Sequence, residues 1–215
     1  MGLIQHLATD PALFFSLVIT LIFSLVLHEV AHGYVAYKCG DSTAYYQGRL
    51  TLNPLNHLDP IGSLMILFIG FGWAKPVPVN SSNLRNPRED MIKVAIAGPA
   101  TNLILAIIAV LICKIFIISD PSILNSPSPI IKFFWTFMYI NLALCIFNML
   151  PIPPLDGSRL LSFETQYRFQ QYGPMVLFGL IILGQVTGFS VIGEVMGFMM
   201  SPIVDIFESF LLTGL

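Results

Sequence analysis

The run Ala12-Leu13-Phe14-Phe15-Ser16-Leu17-Val18-Ile19-Thr20-Leu21-Ile22-Phe23-Ser24-Leu25-Val26-Leu27-His28-Glu29-Val30-Ala31-His32 decides how this chain is read. From Ala12 to Leu27 no side chain is ionisable, and then three ionisable residues arrive within five positions. A helix that crosses a bilayer needs about 20 mainly apolar residues, so the run predicts a span that carries His28, Glu29 and His32 at one end. On a helix, positions i and i+4 lie one above the other. Both imidazoles therefore project from one face, with Glu29 beside them. Ionisable groups inside a span are expensive and mark functional sites. Two imidazoles at this spacing offer two nitrogen ligands to one metal ion, with a carboxylate at hand.

The rest of the chain agrees with a membrane setting. Of 215 residues, 55% are hydrophobic and 10% charged, against about 25% charged in an ordinary soluble domain. That excludes a soluble enzyme. The formal net charge of −2 offers no basic footprint, so nucleic acid is not an expected partner. Cys39, Cys113 and Cys145 lack any CxxC spacing and read as packing residues. Residues 1–10 contain no Lys or Arg and no cleavage site follows, so the first apolar run is expected to be a retained span rather than a signal peptide.

Charge-free stretches at 94–113, 133–155 and 169–193 are each long enough to cross. Residues 60–74 are shorter and glycine-rich, which suits a re-entrant or half-buried element. The run 191–204 is interrupted by Glu194, and its crossing is left open. Two short stretches read as extended: 47–52 by a partial alternation, and 73–79 because Pro76 and Pro78 forbid a helix. The expected fold is an all-α polytopic helix bundle of four to six transmembrane segments. It includes a small β element and one re-entrant or short apolar segment. A single membrane-embedded domain would occupy 1–215, with its core at about 12–160 and C-terminal helices at about 170–215. Lys38, Arg49, Lys75, Arg85, Arg88 and Lys93 crowd the connector after the first span. The positive-inside rule places that connector in the cytoplasm and the N-terminus outside.

Two histidines leave a catalytic zinc site incomplete, since three protein ligands are usual. His57, Asp59 and Asp156 are the candidates for the third. Asp156 is the best placed, because it follows 133–150 on the same side of the membrane as the end of the first span. Pro151, Pro153 and Pro154 would present it from a rigid non-helical turn.

Three elements carry a resemblance: His28–His32, Ala97-Gly98-Pro99-Ala100-Thr101-Asn102, and Asn148-Met149-Leu150-Pro151 leading to Leu155-Asp156-Gly157. In order and spacing the chain resembles the site-2 proteases, zinc intramembrane metalloproteases of peptidase family M50, in their compact branch without a PDZ domain. The resemblance covers about residues 20–160. It implies that His28, His32 and Asp156 hold one Zn2+ per chain and that Glu29 is the catalytic acid–base. A transmembrane protein would be the substrate, cut near its cytoplasmic side in the cytoplasmic membrane of a bacterium or archaeon. Asn102 and Asn148 could supply donors to a tetrahedral oxyanion, and His57 could contact substrate. An unwound substrate helix needs backbone partners that lipid cannot supply, and a strand edge at 47–52 or 74–80 could provide them. Two other classes compete: a catalytically silent membrane scaffold or chaperone, and a transporter using intramembrane His, Glu and Asp. The oligomeric state is not legible.

Overall fold

The computed structural model describes residues 2–125 and 128–213. Among these residues nine α-helices occur in chain order. They are α1 (Ile4–Thr9), α2 (Pro11–Lys38), α3 (Thr43–Tyr46), α4 (Pro60–Ile69), α5 (Pro87–Ser119), α6 (Pro129–Asn148), α7 (Phe163–Gln170), α8 (Gly173–Thr187) and α9 (Val191–Leu212). Four of them, α2, α5, α6 and α9, are long and apolar enough to cross a membrane. The protein is an all-α integral membrane protein.

Helix starts are written locally. Proline opens α2, α4, α5 and α6, where its missing N–H costs nothing. Asp10, Asp59 and Ser128 cap α2, α4 and α6 by accepting from Leu13, Gly62 and Ile131. Asp59, one of the candidate ligands, is thus spent on a cap.

α5 packs against both α2 and α6. Its buried face is largely small or β-branched (Ala95, Gly98, Ala106, Ala109, Val110), which lets neighbouring backbones approach closely. Ala106, Ala109, Val110, Cys113 and Ile117 form one core with Met138, Leu142 and Ile146 of α6 and Met200 of α9. Phe15, Ile19 and Phe23 on α2, and Ile104, Ile108 and Ile115 on α5, face outward. Such exposure suits lipid rather than water.

One expectation holds, in the short apolar segment α4, and others change. α4 has 10 residues, about 15 Å of helix, or half a hydrocarbon core. Residues 169–193 are not one crossing helix: α8 has 15 residues and ends where Gly188 turns left-handed at φ 75°. α7 and α8 meet at a 55° bend. α9 is long enough to cross because Glu194 falls in its first turn, where the helix dipole favours an anion. The β element shrinks to one antiparallel bridge, Leu58 with Ala74. Residues 47–52 form turns and bends, not a strand. Their alternation was partial, and Pro76 and Pro78 leave 73–79 too few donors to build a ladder.

Candidate metal centre

α2 delivers His28 and His32 to the interior, where both are buried. α6 stops at Asn148, and a turn through Pro151, Pro153 and Pro154 leads into the 3₁₀ turn Asp156–Leu160. That turn folds back on the end of α6. A Cβ on Gly157 would meet the Met149 carbonyl oxygen at 2.2 Å, so only glycine allows the approach. Asp156 is thereby brought to His32, which lies 124 residues earlier in the chain.

Three donor atoms converge. His28 Nε2 and His32 Nε2 are 3.0 Å apart, and each lies 3.1 Å from Asp156 Oδ2. The other ring nitrogens are occupied. His32 Nδ1 lies 2.6 Å from the Val94 carbonyl oxygen, which can only accept, so this nitrogen donates. His28 Nδ1 lies 2.6 Å from Asn102 Oδ1 and donates to it. In the neutral rings both Nε2 atoms then present lone pairs toward each other and toward a carboxylate oxygen. Three acceptors in contact require a cation between them. Tetrahedral zinc with ligands at about 2.0–2.1 Å sets neighbouring ligand atoms about 3.3 Å apart, close to the spacing seen. The donor set therefore fits zinc.

α5 forms the floor of the centre. A Cβ on Gly98 would lie 2.4 Å from His32 Nε2 and 2.5 Å from His28 Nε2, so Gly98 leaves the space in which the donors meet. Pro99 follows inside the helix and leaves the Ala95 carbonyl without its usual helical donor.

A cavity of about 490 Å³ opens beside the three donors. Glu29, Trp73, Val77, Asn148, Arg159 and Phe178 are among its lining residues. Glu29 Oε2 accepts from the Val77 N–H at 2.8 Å. Val77 sits between two prolines, so its N–H is the sole donor of residues 76–78. The extended segment is fixed further along: the Lys75 N–H donates to His57 O, the Lys75 carbonyl accepts from Arg49, and the Asn80 N–H donates to Asp41. Asp41 also accepts from Thr43 and Asn83. Burial opposes its ionisation, but the hydrogen bonds from Thr43, Asn83 and Asn80 outweigh it and hold the carboxyl below its usual range.

Asn148 lines the cavity and donates to Leu144 O within its own helix. Asn102 does not reach the cavity. It is fully buried, accepting from His28 and donating to Asn141. His57 is fully buried and bonds Thr51 O through Nε2, away from the cavity. The role of Gly98, and the parts played by Asn141 and by α8, whose Leu177 and Phe178 line the cavity, are not legible in the sequence. Phe178 stands edge-on to Phe71 and Trp73, with ring centroids 6.0 and 6.1 Å apart.

The profile of peptidase family M50 matches residues 16–183. A Bacillus subtilis (strain 168) protein named as a zinc metalloprotease, YwhC, is 51% identical over 147 residues, covering 68% of this chain and 67% of its own length. A Mycolicibacterium smegmatis protein named as the zinc metalloprotease Rip2 is 30% identical over 177 residues, 75% of this chain and 64% of its own. A zinc metalloprotease of Methanocaldococcus jannaschii is 29% identical over 153 residues, 71% of this chain and 35% of its own. No solved structure matches the chain at a significant level. The chain belongs to peptidase family M50, the family of the site-2 proteases.

Proposed function

We propose that this protein is a zinc-dependent intramembrane endopeptidase. It hydrolyses a peptide bond in or near a transmembrane segment of a membrane-protein substrate, close to the cytoplasmic face of a bacterial or archaeal cytoplasmic membrane. The observation that carries this reading is the convergence of His28 Nε2, His32 Nε2 and Asp156 Oδ2 within 3.1 Å of one another, beside a cavity that also holds Glu29.

His28, His32 and Asp156 would hold one zinc ion, which supplies Lewis acidity and makes water a competent nucleophile near neutral pH. Glu29 takes the proton released as attack begins and delivers it to the departing amide nitrogen. The Val77 N–H holds one of its oxygens, and Oε1 has no hydrogen-bond partner among the described residues. Asn148 retains amide capacity beyond its bond to Leu144 and can orient a substrate carbonyl. Residues 74–80 offer extended main chain, chiefly as carbonyl acceptors, to an unwound substrate segment. Trp73, Ala74, Pro76, Val77 and Val79 line the cavity, so the segment runs along its wall.

The test is to purify the protein, count zinc, and compare wild type with Glu29→Gln on a panel of single-span membrane proteins. Zinc-loaded wild type should cleave at least one of them. Glu29→Gln should keep the metal and lose at least about 100-fold in rate. A zinc-loaded wild type inert toward every substrate, including proteins of its native membrane, would sink the reading. Deleting 74–80 should abolish cleavage with zinc retained, and persisting cleavage rejects the pairing role.

A further inference from the structure

Behind His28 runs a chain of side chains that the proposed reaction does not use. His28 Nδ1 meets Asn102 Oδ1 at 2.6 Å, Asn102 Nδ2 meets Asn141 Oδ1 at 2.9 Å, and Asn141 Nδ2 meets the Phe137 carbonyl oxygen at 2.9 Å. Asn102 and Asn141 are both fully buried, at 0% exposure, so water does not compete for their amides. The chain ties α2, α5 and α6 together through groups that find no alternative partner in an apolar interior.

Its direction follows from its last member. A main-chain carbonyl only accepts, so the nitrogen of Asn141 must face Phe137 and its oxygen must face Asn102. Asn102 then turns its nitrogen to Asn141 and its oxygen to His28. That oxygen demands a donor, so His28 carries its proton on Nδ1 and leaves Nε2 bare toward His32 and Asp156. His32 reaches the same state in one step, through the Val94 carbonyl. We infer that Asn102 and Asn141 are positioning residues that set the tautomer of His28, and hence the metal affinity of the centre, from one and two hydrogen bonds away.

The inference rests on the metal-site reading above, and its test separates the two. Without Asn141, the Asn102 amide has no fixed sense. Flipped, it donates to His28 Nδ1, moves the proton to Nε2 and blocks the ligand atom. An aspartate at position 102 accepts in either sense and restores the required tautomer.

Zinc affinity is measured on the purified full-length chain by competition with a chromophoric chelator, alongside thermal unfolding in detergent. The 15N shifts of histidine in the metal-free protein report the tautomer. Asn141→Leu should weaken zinc by about 10–100-fold, the usual effect of losing a partner behind a ligand. It should also populate the Nε2-protonated form of His28. The double variant Asn102→Asp/Asn141→Leu should recover affinity to within about threefold of wild type. Wild-type affinity in Asn141→Leu, or a double variant as weak as the single one, overturns the inference. If Asn141→Leu does not fold, the comparison moves to position 102. There Asn102→Asp should keep zinc and Asn102→Leu should lose it, and equal affinities overturn the inference. A wild-type protein that binds no zinc would instead overturn the metalloprotease reading itself.

Discussion

The two walls of the cavity are built by opposite means. On the metal wall, both imidazoles are held from behind. Each histidine has its second nitrogen tied to a neighbouring helix, and Gly98 leaves no spare volume beneath the ligand atoms. The facing wall consists of Phe71–Val79 and the short helix α8. It is extended main chain held at a few points, with rings packed edge to face. A metal centre tolerates displacements of only a few tenths of an ångström. In the proposed reaction the facing wall receives an unwound peptide and must accommodate varied side chains, and such regions come from the less constrained part of a fold. Damage to the first wall should therefore appear in metal binding, and damage to the second in substrate use.

The largest expected effect tests the first wall. Gly98→Ala pushes a methyl group onto both ligand nitrogens. It should reduce zinc affinity at least about 100-fold, beyond what the loss of an outlying partner produces, while the helical content measured by circular dichroism stays. Stoichiometric zinc in the purified variant would show that the wall has slack after all. Next comes the second wall. Phe178→Ala removes two ring contacts of about 0.5–1 kcal/mol each. Zinc should be unchanged and kcat/KM for a cleavable substrate should fall roughly tenfold. A parallel loss of zinc would erase the distinction between the walls.

Away from both walls, Lys114 on α5 donates to the carbonyls of Leu211 and Thr213 at the end of α9 and lies over the Phe210 ring. Lys114→Met should lower unfolding stability by about 1–2 kcal/mol with zinc content and turnover unchanged. An unchanged melting profile would mean that α9 is held by apolar packing alone. The smallest effect concerns Asp41, which anchors the facing wall through Asn80. Its carboxyl is held below the usual range when folded. Its contribution is therefore full above the unfolded value of about 3.9 and disappears as pH falls through the lower folded value. Melting temperatures from about pH 6 down to pH 3 should decline less steeply in Asp41→Asn than in wild type. Equal slopes would remove Asp41 from the account.

The legible part of the molecule was the part written in local chemistry. His28 and His32 are readable because their spacing alone puts them on one helix face. Asp156 follows because the prolines before it end α6. Helix starts at Pro11, Pro60, Pro87 and Pro129 are local signals too. The parts that escaped depend on tertiary approach. Asn102 stands out as a polar residue in a span, but which neighbours it faces is decided by packing against α2 and α6, so its place behind His28 and outside the cavity is not written locally. Asn141 has no motif at all. Gly98 sits in the Ala97–Asn102 element, yet nothing local says that two imidazoles meet above it. Glu194 looked like an interruption because its place in the first turn of α9 is visible only once the cap at Ser190 is known.

The distance along the chain between the donors has a consequence for biosynthesis. Asp156 is made 124 residues after His32, which at about 5–20 residues per second is roughly 6–25 s later. Until then α2 can be threaded correctly, or wrongly, with no means of closing the triad. A chain whose α6 enters in the opposite sense carries Asp156 to the far face of the membrane. Capture of the proposed metal would thus have to wait for α6 and would report that α2, α5 and α6 have been laid down in the correct alternation.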